Sequence, residues 1–199
     1  MKKILFITGQ LNAGGAERVL IDILRHFDYI KYQVDLCQII KGGTLIDEVP
    51  TNVNIYHVWD AYTLHYKLSY RASNQLEIDY FIRKKLKQKI TEKYDVVILD
   101  PPAFTKSREA TKNAIKGYRE INMKGLKLVK DGGYFATCSC SHFMTQELLT
   151  KTIKEAAKAT HKRLRQIEFR TQSPDHPILW AADESYYLKF YIFQVVDEK

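Results

Sequence analysis

No apolar run in this chain is long enough to cross a bilayer as a helix, so a helical membrane protein is not expected. After Met1-Lys2-Lys3 the apolar stretch Ile4-Leu5-Phe6-Ile7 gives way at once to Thr8-Gly9-Gln10, too short for a secretory signal. Cysteine is scarce. There are three, Cys37, Cys138 and Cys140, an odd number, and a single residue separates the last two. A disulfide framework is therefore not indicated, and a reducing, cytoplasmic setting is expected. No His, Cys or Asp spacing resembles a zinc site, so no metal is expected. Internal repeats, low-complexity tracts and linkers are also missing.

What remains is an ordinary globular composition. The 199 residues are 45% hydrophobic, enough for one good core in a one-domain or small two-domain protein. The net charge is +8, divided evenly at +4 for residues 1–94 and +4 for 95–199, so the excess is not a tail. It suits an anionic partner such as RNA, and an ordinary soluble basic protein accounts for it equally well.

Strands and helices alternate along the chain. Lys3 to Thr8 reads as a first strand. A Gly9–Gly15 loop follows, then a helix over Ala16–Phe27 with Val19, Leu20, Ile23, Leu24 and Phe27 on its apolar face. Strands are expected at Val34–Ile40 and Val53–Val58, and a very basic helix over 76–93. The run Val96–Leu99 reads as a buried strand. A helix from Lys112 to Lys130, stopped by Asp131-Gly132-Gly133, leads to a strand at Tyr134–Cys140. Thr145 caps a helix reaching about Leu164, and strands at Arg165–Thr171 and Tyr186–Val196 close the pattern. The expected fold is α/β: a doubly wound, Rossmann-like, mostly parallel sheet with helices on both faces and a C-terminal antiparallel strand.

One stretch carries most of the chemistry. Val96-Val97-Ile98-Leu99 runs into Asp100-Pro101-Pro102-Ala103-Phe104. The two prolines end the strand because they lack N–H donors and fix φ. A carboxylate is thus delivered to the carboxyl end of a central strand, where open α/β sheets bind ligands. A stiff turn and an aromatic ring follow, a set that suits a planar base. Cys140 ends the expected neighbouring strand, and Cys138 shares its face. By themselves both cysteines read as small buried strand residues. Phe104 reads equally as a stacking or a core ring. Lys106 and Arg108 are phosphate ligands or solvated charges. His176, between Asp175 and Pro177, sits in a loop able to fold over the site, as a base or as a structural hydrogen-bonding group, and His142 is similarly open. Gly9, Gly14 and Gly15 precede a helix and could cradle an anion or approach a cofactor, although the G-x-G-x-x-G spacing is missing.

From Tyr94 to Val196 the chain resembles the large-subunit ribosomal RNA methyltransferases of the I type. The resemblance rests on Asp100-Pro101-Pro102-Ala103-Phe104, Gly117-Tyr118-Arg119-Glu120-Ile121-Asn122, Cys138-Ser139-Cys140-Ser141-His142 and Pro174-Asp175-His176-Pro177, in that order. It implies a class I fold, S-adenosyl-L-methionine as cofactor and methylation of cytosine C5 in RNA. It also implies Cys140 as the attacking thiolate, with Cys138 in reserve. Asp100 would bind the base's amine or move a proton, Pro102 would stiffen the loop, and Phe104 would stack on a flipped base. The Gly-rich cofactor loop and the acidic ribose ligand of that family are not recognisable. In their place Gly9, Gly14, Gly15, Asp100 and Pro101 are the cofactor-side candidates.

Residues 1 to about 93 resemble a different family. Asn12-Ala13-Gly14-Gly15-Ala16-Glu17-Arg18-Val19 is similar to the opening of family 4 glycosyltransferases, whose nucleotide-sugar domain has no counterpart here. The chain therefore reads as a junction of two Rossmann-like halves, 1–93 and 94–199, merged into one α/β domain near Lys93-Tyr94-Asp95. Three functional readings follow: an RNA methyltransferase domain, a glycosyltransferase fragment, or a folded chimera without catalysis.

Overall fold

The computed structural model describes residues 1–59, 92–104 and 111–198. The helix expected over 76–93 lies almost wholly outside them, as do Lys106 and Arg108. The described elements are β1 (Lys2–Thr8), α1 (Gly15–Arg25), β2 (Tyr32–Ile40), β3 (Asn54–Trp59), β4 (Tyr94–Asp100), α2 (Thr111–Leu128), β5 (Val129–Ser139), α3 (Gln146–Ala159), β6 (Lys162–Arg170) and β7 (Lys189–Asp197).

The seven strands form one sheet in the order β3-β2-β1-β4-β5-β7-β6. The first five are parallel, and β7 runs antiparallel between β5 and β6. Strand order reverses between β1 and β4, where Thr8 pairs with Asp100. In doubly wound sheets the carboxyl rim beside such a reversal is where ligands bind.

Alternation along each strand feeds two cores. Ile4 and Phe6 of β1 meet Val34 and Leu36 of β2 and Ile21 and Leu24 of α1 on one face. Leu5, Ile7, Val97, Leu99 and Phe135 face the other way, against Tyr118, Ile121, Leu149 and Ile153 of α2 and α3. Gly125 of α2 lies so close to Phe135 that an added Cβ would be 2.6 Å from its ring. Helix and strand approach closely here because no side chain intervenes.

Several local expectations need correction. In α1 the buried positions are Ile21 and Leu24, while Val19 and Ile23 are exposed. The stripe facing the sheet is rotated toward Leu20, Ile21, Leu24 and Phe27. Asp131-Gly132-Gly133 does not terminate a helix reaching Lys130. The helix ends at Leu128, and the three residues form an irregularity within β5, between the pairs Tyr94–Val129 and Val96–Tyr134. Lys130 Nζ donates to Asp95 Oδ2 at 2.9 Å, the Asp197 N–H donates to Asp131 Oδ1 at 2.8 Å, and Gly132 takes φ +77°. Tertiary pairing recruits a segment whose local chemistry favours a turn. α3 stops at Ala159, short of Leu164, because His161 adopts φ +53° and Lys162 already pairs with Asp197. The strand before Cys140 ends at Ser139, which leaves Cys140 one residue past the ladder. Thr145 does cap α3, its side chain accepting the Leu148 N–H at 3.3 Å.

Candidate active site

The rim beside the β1/β4 reversal collects the chemistry-bearing side chains. β4 delivers Asp100, and the neighbouring parallel strand β5 delivers Cys138 and, one residue beyond its end, Cys140. Cys138 is buried, and its thiol donates to Asp100 Oδ1 at 3.1 Å. Burial pushes the Asp100 carboxyl above its usual range. The Cys138 thiol opposes this and the Glu17 charge adds to it. Burial likewise pushes the Cys138 thiol well above the ordinary range, reinforced by Asp100. Cys138 is therefore a neutral hydrogen-bond donor to the carboxylate. Cys140 is the exposed cysteine, and none of the three is in a disulfide. Partial burial of its sulfur, together with Asp100, raises its pKa too, and Lys189 pulls in the opposite direction.

Lys189 carries no weight in a reading of sequence alone, yet among the described residues it is the buried cation of this rim. It opens β7 opposite Ser139. It is 1% exposed, and its ammonium donates to the Ser141 carbonyl at 2.7 Å and the Tyr187 carbonyl at 2.9 Å. Burial lowers its pKa from 10.5 to about 8, while Cys140 draws it back up. A lysine inside Tyr186-Tyr-Leu-Lys-Phe-Tyr-Ile-Phe193 is the only sequence signal, a cation in an otherwise apolar strand.

The remaining candidates separate. Pro101 is buried and Pro102 exposed. Gly9 packs on Pro102, with room for a Cβ at 3.6 Å, so the loops after β1 and β4 touch. Phe104 packs edge-on against Tyr118, ring centroids 4.8 Å apart, as part of the core. This is its core-ring alternative. Tyr118 in turn accepts a hydrogen bond from Ser139 Oγ at 2.9 Å and, mainly through burial, is pushed up to about 12. His176 is exposed in the loop before β7, 3.2 Å from Tyr187 Oη and 3.8 Å from Asp175. His142 is exposed beside Phe143.

The cofactor-side glycines surround the start of α1. Gly14 is its N-cap and Gly15 its first residue, and Gly15 has open space where a Cβ would stand. The corresponding space at Gly14 is filled by the carboxylate of Glu17, folded back over the first turn of its own helix. At the end of β2 the Gln38 amide both donates to and accepts from Gly42, at 2.8 and 3.5 Å. The loops after β1 and β2 are laced together by Ile40 N–H to Gly9 O, Leu11 N–H to Gly42 O and Leu45 N–H to Leu11 O. Gly43, at φ +113°, lies directly on the Leu11 carbonyl. Among the described residues no group of three His, Cys, Asp or Glu side chains could hold a metal, and no described helix is long and apolar enough to cross a membrane.

No family model matches the chain. It is 44% identical over 104 residues to a Methanocaldococcus jannaschii protein named as a ribosomal RNA large subunit methyltransferase, covering 52% of this chain and 26% of that one. It is 38% identical over 107 residues to ribosomal RNA large subunit methyltransferase I of Alteromonas mediterranea, covering 54% and 27%. The match thus spans about a quarter of the length of these curated relatives. Among solved structures, a Streptococcus mutans protein described as a SAM-dependent methyltransferase superposes with a TM-score of 0.57 at 14% identity, over 95% of this chain and 44% of the other. A methyltransferase solved with SAH gives 0.56 at 14% identity, over 97% and 45%. None of these relatives or structures is a glycosyltransferase. The chain has the α/β, Rossmann-like fold of these methyltransferase structures.

Proposed function

We propose that this chain is part of an S-adenosyl-L-methionine-dependent RNA methyltransferase acting on cytosine C5 of large-subunit ribosomal RNA, a reaction that belongs in the cytoplasm. One observation carries the reading: a carboxylate, an exposed thiol and a buried ammonium, Asp100, Cys140 and Lys189, meet at the carboxyl rim of adjacent strands beside the topological reversal. The relatives named above supply the substrate class. The sheet runs unbroken across Tyr94, so the segments on either side of it are read as one α/β domain. Nothing observed favours a glycosyltransferase.

The rim residues suit the amino-acid end of the cofactor. The first N–H groups of α1, at Gly15 and Ala16, would take its carboxylate once Glu17 swings aside. Asp100 would accept from its ammonium, and Gly9 with Pro101 would flank it. The end of β2 offers the ribose only Gln38, whose amide is engaged with Gly42. Binding would therefore rest on the amino-acid end. When bound, the group supplies an electrophilic methyl on a sulfonium.

Cytosine C5 is a poor nucleophile. The Cys140 thiolate would bond to C6 and make C5 electron-rich enough to accept a methyl group, for which the cofactor would supply a thioether leaving group. The C5 proton would then leave to a base, its bonding pair re-forming the C5–C6 double bond as the S–C6 bond breaks and Cys140 departs as its thiolate. The thiolate is the reactive species, and Cys140 sits in a rim that holds it protonated. The Lys189 ammonium offsets that field, so Lys189 is the group that makes the thiolate accessible. Asp100 fits recognition of the cytosine amine as well as proton transfer. Cys138 holds the Asp100 carboxylate in place.

The test is covalent capture. RNA whose target cytosine carries fluorine at C5 cannot lose that atom as a proton, so the adduct persists. A denaturation-stable adduct should form with the wild-type chain plus cofactor, persist in Cys138→Ala and vanish in Cys140→Ala. An adduct retained by Cys140→Ala would remove Cys140 from the role.

A further inference from the structure

A cleft of about 440 Å³ opens beside Lys189. Its walls are the start of α3 and the loop leading into β7. Lys189, His142 and Gln146 line the cleft as well. It shares Lys189 with the rim described above, while neither Asp100 nor Cys140 lines it. Its outer wall is Ile178-Leu179-Trp180, 42%, 56% and 100% exposed respectively. Three consecutive apolar residues held in water are unusual, and an exposed apolar wall marks an interaction site.

The loop is braced. The Leu179 N–H donates to Ser185 Oγ at 2.7 Å, and Ser185 Oγ returns a bond to the Leu179 carbonyl at 3.3 Å. The Ala182 N–H donates to the same carbonyl at 3.0 Å. Gln172 Nε2 bonds the Ser185 carbonyl from the other strand of the loop. The indole is therefore presented from a fixed frame.

The lining decides the occupant. Glu147 and Asp183 place two carboxylates at the cleft, and Thr145 and Glu147 already hydrogen-bond the first turn of α3. The helix N-terminus thus offers no seat for a phosphate. A flat, uncharged ring fits: an indole to stack on and carboxylates to accept from an amine. The net charge of +8 draws the polyanion that carries such rings. We propose that this cleft binds one unpaired nucleobase of the RNA, next to the base that reacts, with Trp180 as its stacking platform. This rests on the RNA reading above and adds a second contact to it.

Trp59 and Trp180 are the two tryptophans of the chain, so Trp59→Phe leaves Trp180 as the reporter. Single-stranded oligocytidine should quench its fluorescence on titration. In the otherwise wild-type chain, Trp180→Ala should weaken binding of labelled oligocytidine, read by anisotropy, roughly 5- to 150-fold, the range for one lost base stack. This readout needs neither cofactor nor turnover. Wild-type binding retained in full by Trp180→Ala, without quenching in the Trp59→Phe chain, would overturn the cleft and leave the RNA reading standing. No binding of oligocytidine or ribosomal RNA by the wild-type chain would remove both.

Discussion

Lys189 gives the sharpest quantitative test of the rim. Its ammonium is buried, and its pKa falls from 10.5 to about 8. The unfolded chain holds that proton up to about 10.5, whereas the folded chain releases it near 8. Between these values the unfolded state binds more protons, so stability rises with pH. Below the window the folded state bears the full penalty of an enclosed charge, and above it neither state is charged. At 1.36 kcal/mol per pH unit the penalty is about 3 kcal/mol. The neutral amine keeps its hydrogen bonds to the Ser141 and Tyr187 carbonyls, so those do not vanish across the titration. The measurement is urea unfolding of Cys140→Ala and of Cys140→Ala/Lys189→Met between pH 7 and 10.5. The Cys140→Ala background removes the thiol that couples to Lys189. The stability of the lysine-bearing protein should gain about 3 kcal/mol relative to its methionine counterpart over this range. A difference that stays flat would show that the ammonium is solvated and that the rim lacks its buried cation.

Iodoacetamide should modify Cys140 first in the native protein, with Cys37 and Cys138 reacting only on opening, as mass spectrometry of timed samples would show. The midpoint of that reaction should lie above that of an ordinary cysteine. Glu17→Gln should lower it by removing a negative charge facing the thiol, and an unchanged pH profile would exclude Glu17 from the rim. Gly43→Ala should cost about 2 kcal/mol or more in urea unfolding, because φ +113° is strained for alanine and its Cβ would collide with the Leu11 carbonyl. Tyr118→Phe should cost about 1–3 kcal/mol, since Ser139 Oγ would be left buried without its acceptor.

Much of the fold was legible because its signals are local. The apolar run before Asp100-Pro101-Pro102 could only be a strand ending at a stiff turn, and that places a carboxylate at the rim of the sheet. Thr145 marked the start of α3 through its own side chain. The misreadings arose where distant pairing overrides local chemistry. Asp131-Gly132-Gly133 favours a turn, but Lys130 and Asp131 are held by Asp95 and Asp197, and the segment enters β5. Phe104 carried two readings in sequence, and its packing on Tyr118 depends on where α2 lies.

By itself, then, the sequence determined the alternation of strands and helices and the placing of Asp100 and Cys140 near strand ends. Each of these depends on side chains a few positions apart. Only the tertiary structure decided that β7 inserts between β5 and β6. That insertion carries Lys189 across 48 residues to the Ser141 carbonyl and sets it against Cys140. A buried cation is recognisable only from what encloses it, and its enclosure is made by chain segments that are remote in sequence.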